Sequence, residues 1–474
     1  MVAALALLIC RQAPASEFTP PGLTDVEYLA LPNGLDVILK PRTHARNVAI
    51  RLAINVGHRH FSCDKRETAH FLEHLLFKGT SKHSEAELDR LIEDNGGSWN
   101  AMTGPTRTVY QIDIHGKYLP LAIDTLYEII SDSVITTEKT ALARDVIHRE
   151  LGGRPSSLRR LLYRHGIGKS AGEKAGEMLL PGTGVVCPSL ETLDAITQAD
   201  IVMAYKNYYV ANNMGLVVVG DFDPAAALRQ IRQSFGRMPA TSGARHALDT
   251  PPYPDGAGLI TGTLAPFLGS EANVGIAYRT DGERSPHLYA LWVLYAYLDR
   301  RLYERIRIEQ GLAYTPAANF SWDEDYGIFM VSADSGLNTR ARVERLLHEQ
   351  LDALRESGLS ARELEQAKRR ILLGRLQIYE TNADFAEYYA HNLHELSTHG
   401  RFLNREDAVA RLTPEDIRRT VERYFRLDRE MRFYSTPTLT YTEFYVALGA
   451  LLVMLMALLA YAYRRLRRRR AQRG

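Results

Sequence analysis

Residues 67–80 read ETAHFLEHLLFKGT, and within them stands His70-Phe71-Leu72-Glu73-His74. The surrounding stretch, 66–78, reads as a helix. On a helix, positions i and i+4 share one face a turn apart. His70 and His74 can therefore aim two imidazoles at one ion. Glu73 adjoins His74, and its carboxylate can approach the same point from the side. Imidazole and carboxylate ligands with one open position are the pattern of a hydrolytic zinc site. Zinc in such a site brings the pKa of water down to roughly 7 and polarises a carbonyl. A glutamate beside that water can take its proton and hand it to a leaving amine. A third ligand is required. The helical stretch KTALARDVIHREL (139–151) offers Glu150, 76 residues after His74.

Outward from this core, VEYLALPNGLDVILK (26–40) reads as a strand pair turning at Asn33-Gly34, and NVAIRLAINVG (47–57) as an alternating strand. SEAELDRLIEDNGG (84–97) reads as a helix ending at its glycines. TRTVYQIDIH (106–115) is a strand, and LPLAIDTLYEIISDSV (119–134) has helical period. Residues 152–188 read as a long irregular loop. NMGLVVVGDFDP (213–224) is a buried strand leading into a helix. The linker is PATSGARHALDTPPYPDGAG (239–258). A second strand–helix set follows. It has a strand at 271–280, a helix over HLYALWVLYAYLDRRLYERIRIE, a strand at 327–335 and two long helical stretches over about 340–398. The halves have similar order and size.

The chain resembles the pitrilysin/insulinase family of zinc metallopeptidases, the inverzincins, which includes the mitochondrial processing peptidase and its bacterial relatives. AHFLEHLLFKGT matches the family's metal helix almost letter for letter. The resemblance implies that His70, His74 and Glu150 hold Zn2+ and that Glu73 is the general base. GGSWNAMTGPTRTVYQIDI (96–114) resembles the family segment that ends in Asn-Ala-x-Thr and runs into an edge strand. By resemblance that edge takes up an extended substrate, with Asn100, Ala101 and Thr103 against it. RRLYERIRIEQGLAYTP (300–316) resembles a second signature. It implies that Arg307 and Tyr314 reach over the metal site from the second domain and hold substrate. One position departs from the family. Many active relatives carry an acid seven residues before the ligand glutamate, and here that position is Ala143. The missing carboxylate leaves the zinc shell with less support.

The two ends of the chain point to a membrane. Phe444–Tyr463 is 20 residues without a charge, long enough to cross a bilayer core. Aromatic residues flank it. Residues 464–474 hold seven arginines and no acid, so the rest of the chain, whose total is +2, carries a net −5. The positive-inside rule puts that tail in the cytoplasm and the body across the membrane. MVAALALLICRQAPASEF reads as a short cleaved signal, with Ala13 and Ala15 before Ser16. Of Cys10, Cys63 and Cys187, the last two remain after cleavage. They are free to pair if the fold brings them together. No Cys-x-x-Cys motif exists, which argues against a thiolate zinc site.

The expected architecture is α+β. A leader (1–24) precedes a zinc-binding peptidase domain (25–238), the linker (239–258) and a similar second domain (259–437). Together they make half of a clam-shell, followed by a transmembrane helix (444–463) and a basic tail (464–474). The expected activity is a membrane-anchored zinc endopeptidase acting on peptides or unfolded segments outside the cytoplasm. Ala143 favours a second reading, a zinc-binding but weakly active subunit or scaffold of a hetero-oligomeric complex. By resemblance to two-domain members the chain pairs as a homo- or heterodimer. Nucleic acid is not an expected partner.

Overall fold

The computed structural model describes residues 8–9, 19, 22–23, 26–181, 187, 190, 193–241, 248, 250, 252–254 and 256–471. Cys10, Ala13, Ala15 and Ser16 of the leader, and much of the linker, lie outside these residues. The first half runs β1 (Leu8–Ile9), β2 (Glu27–Ala30), β3 (Asp36–Pro41), β4 (Asn47–Ile54), α1 (Thr68–Leu76), α2 (Glu85–Glu93), β5 (Ser98–Thr103), β6 (Thr108–His115), α3 (Leu119–Asp132), α4 (Thr137–Glu150), α5 (Ser157–Arg164), α6 (Ala171–Leu179), α7 (Gln198–Tyr208), β7 (Met214–Gly220) and α8 (Pro224–Gln233). The second half runs β8 (Gly258–Gly269), β9 (Glu271–Thr280), α9 (Leu288–Leu302), β10 (Ala317–Trp322), β11 (Gly327–Gly336), α10 (Arg340–Ser357), α11 (Ala361–Leu376), α12 (Asn382–His399), α13 (Arg405–Ala410), α14 (Pro414–Tyr424), β12 (Met431–Thr440) and α15 (Tyr441–Ala471).

Each half is a sheet covered by helices. The first sheet has strand order β1-β2-β3-β7-β4-β6-β5 and the second β10-β11-β9-β12-β8. β3 runs parallel to β7 and β8 parallel to β12, while every other pairing is antiparallel. β4 and β7 read as near-continuous apolar runs because both of their faces are covered. Successive side chains alternate between faces. Ile50, Leu52, Leu216 and Val218 meet Phe71, Leu72 and Leu75 of α1 on one side. Ala49, Ala53, Val217 and Val219 meet Phe385, Tyr389 and Leu393 of α12 on the other.

α12 therefore belongs to the second half in sequence but covers the first sheet. The reverse also occurs. Ala171, Ala175 and Leu179 of α6 pack on Ile260, Ala277, Met431 and Phe433 of the second sheet. Two glycines make these crossings close. A Cβ on Gly215 of β7 would lie 2.4 Å from Leu393 Cδ1, and one on Gly262 of β8 would lie 2.0 Å from the backbone nitrogen of Ala171. Ala171 N donates to Ser435 Oγ of β12 at 2.9 Å, and Thr263 N to Lys169 O at 3.0 Å.

The stretch 152–188, read as an irregular loop, contains α5 and α6. α5 does carry an apolar row at helical spacing, Leu158, Leu161 and Leu162, but it is only eight residues long, sits among glycines, prolines and serines, and leaves that row exposed. The stretch 340–398 holds three helices, not two. Ser360 and Thr381 start the second and third with side-chain caps to Glu363 N and Asp384 N. The edge of the first sheet is β5, which carries Asn100, Ala101 and Thr103, and β6, over the strand read at 106–115, lies inside between β4 and β5. Cys63 and Cys187 are joined as a disulfide, with Cα atoms 5.5 Å apart. After β12 the chain passes at once into α15. The most apolar 18-residue window of its span Tyr441–Leu466 has mean hydropathy 2.3 and is not buried, and the helix is long and apolar enough to cross a membrane.

Candidate active site

α1 divides its faces sharply. Phe71, Leu72, Leu75 and Leu76 are buried under the first sheet, leaving His70, Glu73 and His74 half-buried on the other side. α4 packs beside α1 and ends at Glu150, where Gly152 (φ +85°) and Gly153 (φ +93°) turn the chain away. His74 Nε2 lies 3.2 Å from His70 Nε2 and 3.2 Å from Glu150 Oε2, and His70 Nε2 lies 3.4 Å from Glu150 Oε2. Ligand atoms on a tetrahedral zinc, at about 2.0–2.1 Å from the ion, stand about 3.3 Å apart. The donor set and its spacing therefore fit zinc.

The position of Glu150 supports that fit. A carboxylate at a helix C-terminus faces the negative end of the dipole, a cost of about 0.3–1 kcal/mol. A cation held there would offset it. α4 is itself anchored from the chain that precedes α7. His148 Nε2 is 2.9 Å from Asp194 Oδ1, and Arg144 donates to the carbonyls of Leu193 and Ile196. The Cys63–Cys187 disulfide ties the approach to α1 to that same region.

Electrostatics separates the two histidines. Burial depresses His70, but its hydrogen bond to Glu67 and the carboxylates of Glu73, Glu67 and Glu150 outweigh it and raise its pKa. For His74 burial and the neighbouring His70 prevail and lower it, against the pull of Glu150 and Glu73.

Glu73 points to the edge strand. Thr103 Oγ1 donates to Glu73 Oε2 at 2.5 Å, so the last residue of β5 orients this carboxylate. Asn100 and Met102 are exposed along β5, while Ala101 is buried and Thr103 half-buried. Asn100 Oδ1 accepts from Ala101 N at 2.9 Å. Trp99 faces inward against Phe77, with ring centroids 4.7 Å apart.

Arg307 and Tyr314 are not in this cluster. Arg307 lies on a π-helical turn, Tyr303–Ile308, that continues α9. It donates to Tyr314 O at 2.9 Å and stacks on the Tyr314 ring at 4.3 Å. Tyr314 is 70% exposed. β10 separates the pair from the junction of the two halves. Its six residues span roughly 20 Å between Ala317 and Trp322, beyond which Asp323 receives Arg59.

Two residues outside the motifs shape the site. Arg59, nearly fully buried, reaches Asp323 at 3.3 Å and Asp325 at 2.8 Å, tying the turn before α1 to the β10–β11 turn of the second half. Glu67 Oε2 lies 3.1 Å from His70 Nδ1. The i, i+3 spacing of Glu67 and His70 is the signal for that pair. No local pattern marks Arg59, whose partners lie more than 260 residues away.

Two family models match the chain. "Insulinase (Peptidase family M16)" covers residues 36–168, and "Peptidase M16 inactive domain" covers residues 195–371. An uncharacterized zinc protease of Streptomyces coelicolor is 28% identical over 424 residues, 84% of this chain and 86% of its own length. The β subunit of the mitochondrial-processing peptidase of Lentinula edodes is 25% identical over 429 residues, 84% of this chain and 87% of its own. Among solved structures, pitrilysin superposes with a TM-score of 0.69 at 20% identity, covering 91% of this chain but 46% of pitrilysin.

Proposed function

The chain belongs to the insulinase, or M16, family of zinc proteases, and from that premise we propose that it is a membrane-anchored endopeptidase with its site on α1 and α4. His70, His74 and Glu150 hold the zinc and Glu73 serves as general base. The observation that carries this reading is the convergence of three donor atoms within 3.4 Å beside a carboxylate already oriented by Thr103.

Zinc, when bound, supplies a Lewis acid that polarises the scissile carbonyl and acidifies water. Glu73 takes the proton of the attacking water and returns it to the departing amine. Thr103 holds Glu73 at the end of β5. β5 pairs with β6 alone among the described strands, so its other edge has main-chain groups to offer an extended peptide. Asn100, Ala101 and Thr103 would lie along that peptide.

Arg307 and Tyr314 are held together away from the site of their own chain. They fit a role in which a second copy, or a related subunit, presents them to the substrate. The coverage of only 46% of pitrilysin supports such pairing, two chains making up what pitrilysin carries in one. α15 anchors the body, with the basic tail on the cytoplasmic side.

The second reading, a zinc-binding but weakly active subunit, draws on Ala143 and on the inactive-domain match over 195–371. A digest of a peptide library by the solubilised full chain, read by mass spectrometry, separates the two. Cleavage is expected to require zinc, to stop with a chelator, and to fall about 10²–10⁴-fold in Glu73→Gln. Zinc-loaded wild type that cuts nothing would leave the subunit reading in its place.

A further inference from the structure

Zinc-ligating histidines are held in one orientation by a carboxylate or carbonyl on the far ring nitrogen. Here α4 offers no acid for that purpose, because Ala143 fills its position and is fully buried in the core beneath the site. α1 has its own carboxylate. Glu67 is the N-cap residue of α1, one turn before His70 on the same face. Its side chain is 6% exposed, its Oε2 is 3.1 Å from His70 Nδ1, and its Oε1 is 3.0 Å from Arg66 Nε. His58 closes the other side, with Nδ1 4.0 Å from Glu67 Oε2 and its ring edge-on to His70. A helix N-terminus favours a negative charge, so the position can keep Glu67 ionised at little cost.

We propose that Glu67 is the supporting carboxylate of the metal centre, taking over from within α1 the part that an acid at position 143 would play from α4. This rests on the zinc reading above. Glu67 accepts the Nδ1–H of His70. That fixes the tautomer with the proton on Nδ1 and presents the Nε2 lone pair toward His74 and Glu150. Glu67 is a positioning residue and touches neither substrate nor metal. The absence of an acid at 143 therefore leaves the centre supported, and Ala143 ceases to argue for a weak enzyme.

The test is zinc affinity, measured by competition with a fluorescent chelator on the solubilised full chain. It is paired with the melting temperature of the metal-free protein and the visible spectrum after cobalt substitution. Glu67→Gln keeps the shape and removes the charge, and Glu67→Ala removes both. Zinc binding is expected to weaken about 10- to 100-fold, more in Glu67→Ala, with the metal-free melting temperature of Glu67→Gln unchanged and the cobalt bands shifted. Zinc affinity within twofold of wild type in both variants overturns the proposal. So does a drop in metal-free melting temperature with affinity and spectrum unmoved, which would make Glu67 a structural cap. Wild type that binds no zinc would sink the zinc reading itself, a result distinct from either.

Discussion

Asp200 does two jobs with one carboxylate. It accepts from Thr197 N and Oγ1, at 2.7 and 2.6 Å, capping α7, and it receives Lys65 Nζ at 2.7 Å from the turn that leads into α1. Burial works against the charge, but the hydrogen bonds from Lys65 and Thr197 prevail and bring its pKa down to about 2. Because the folded value lies below the ordinary 3.8, its stabilising contribution is complete above about pH 4. It is lost as the pH falls toward 2. Asp200→Asn is therefore expected to melt below wild type by a constant margin between pH 5 and 7, and the margin should narrow on going from pH 5 to pH 3. A margin that widens with acid would contradict the assignment. The capping box at Thr197–Asp200 is legible in the sequence as Thr-x-x-Asp, whereas its second partner, 135 residues away, is not. The same division runs through the site. The i, i+4 pair His70 and His74 is local geometry and could be read directly. The arrival of Glu150 at 3.2 Å depends on how α4 packs, so the helix at 139–151 could only offer it as a candidate and the family resemblance singled it out.

Among the elements, amphipathic stripes gave away the helices that bury a face, as in α3. α5 has such a row in Leu158, Leu161 and Leu162, but it is short, flanked by Gly, Pro and Ser, and stays exposed. β10 is a short edge strand with Asn319, Ser321 and Trp322 exposed, and its alternating row Ala318, Phe320 and Trp322 is too brief to stand out. α12 has a clear apolar row, Phe385, Tyr389 and Leu393, but a stripe does not say which sheet it will cover. The crossings are where the fold has least slack. A side chain at Gly262 would collide with the backbone of α6 at 2.0–2.6 Å, and a backbone cannot rotate aside. Gly262→Val is expected to destabilise by about 1–3 kcal/mol or more through overpacking, read as a lower urea midpoint. Substitution at Gly374, where a Cβ would meet nothing within 4 Å, should leave the midpoint near wild type. Equal midpoints for the two would mean that α6 does not sit on β8 in solution.

At the scale of the whole molecule, the two sheets are bound by exchange rather than by a surface contact. α6 crosses one way and α12 the other, and Arg59 bolts the β10–β11 turn beside α1. The order of strands and helices showed two similar halves. It could not show this exchange, because nothing in a helix's own sequence names a distant partner. At the far end, β12 stops at Thr440 and α15 starts at Tyr441. Thr440 N and Oγ1 both donate to Glu443 Oε2, at 2.8 and 2.9 Å, so the joint is braced and has no linker. With α15 in a bilayer, the distance from lipid to catalytic centre is then built into the protein. If the proposed peptidase is anchored through α15, it would act as a gauge, choosing among tethered chains by how far the bond stands from the membrane. Reporters anchored in the same vesicle, with the cleavable bond at stepped heights, should be cut in a narrow band. Ten Gly-Ser residues inserted after Thr440 should broaden that band. A native enzyme that cuts every height equally would show that reach, and not address, sets what it meets.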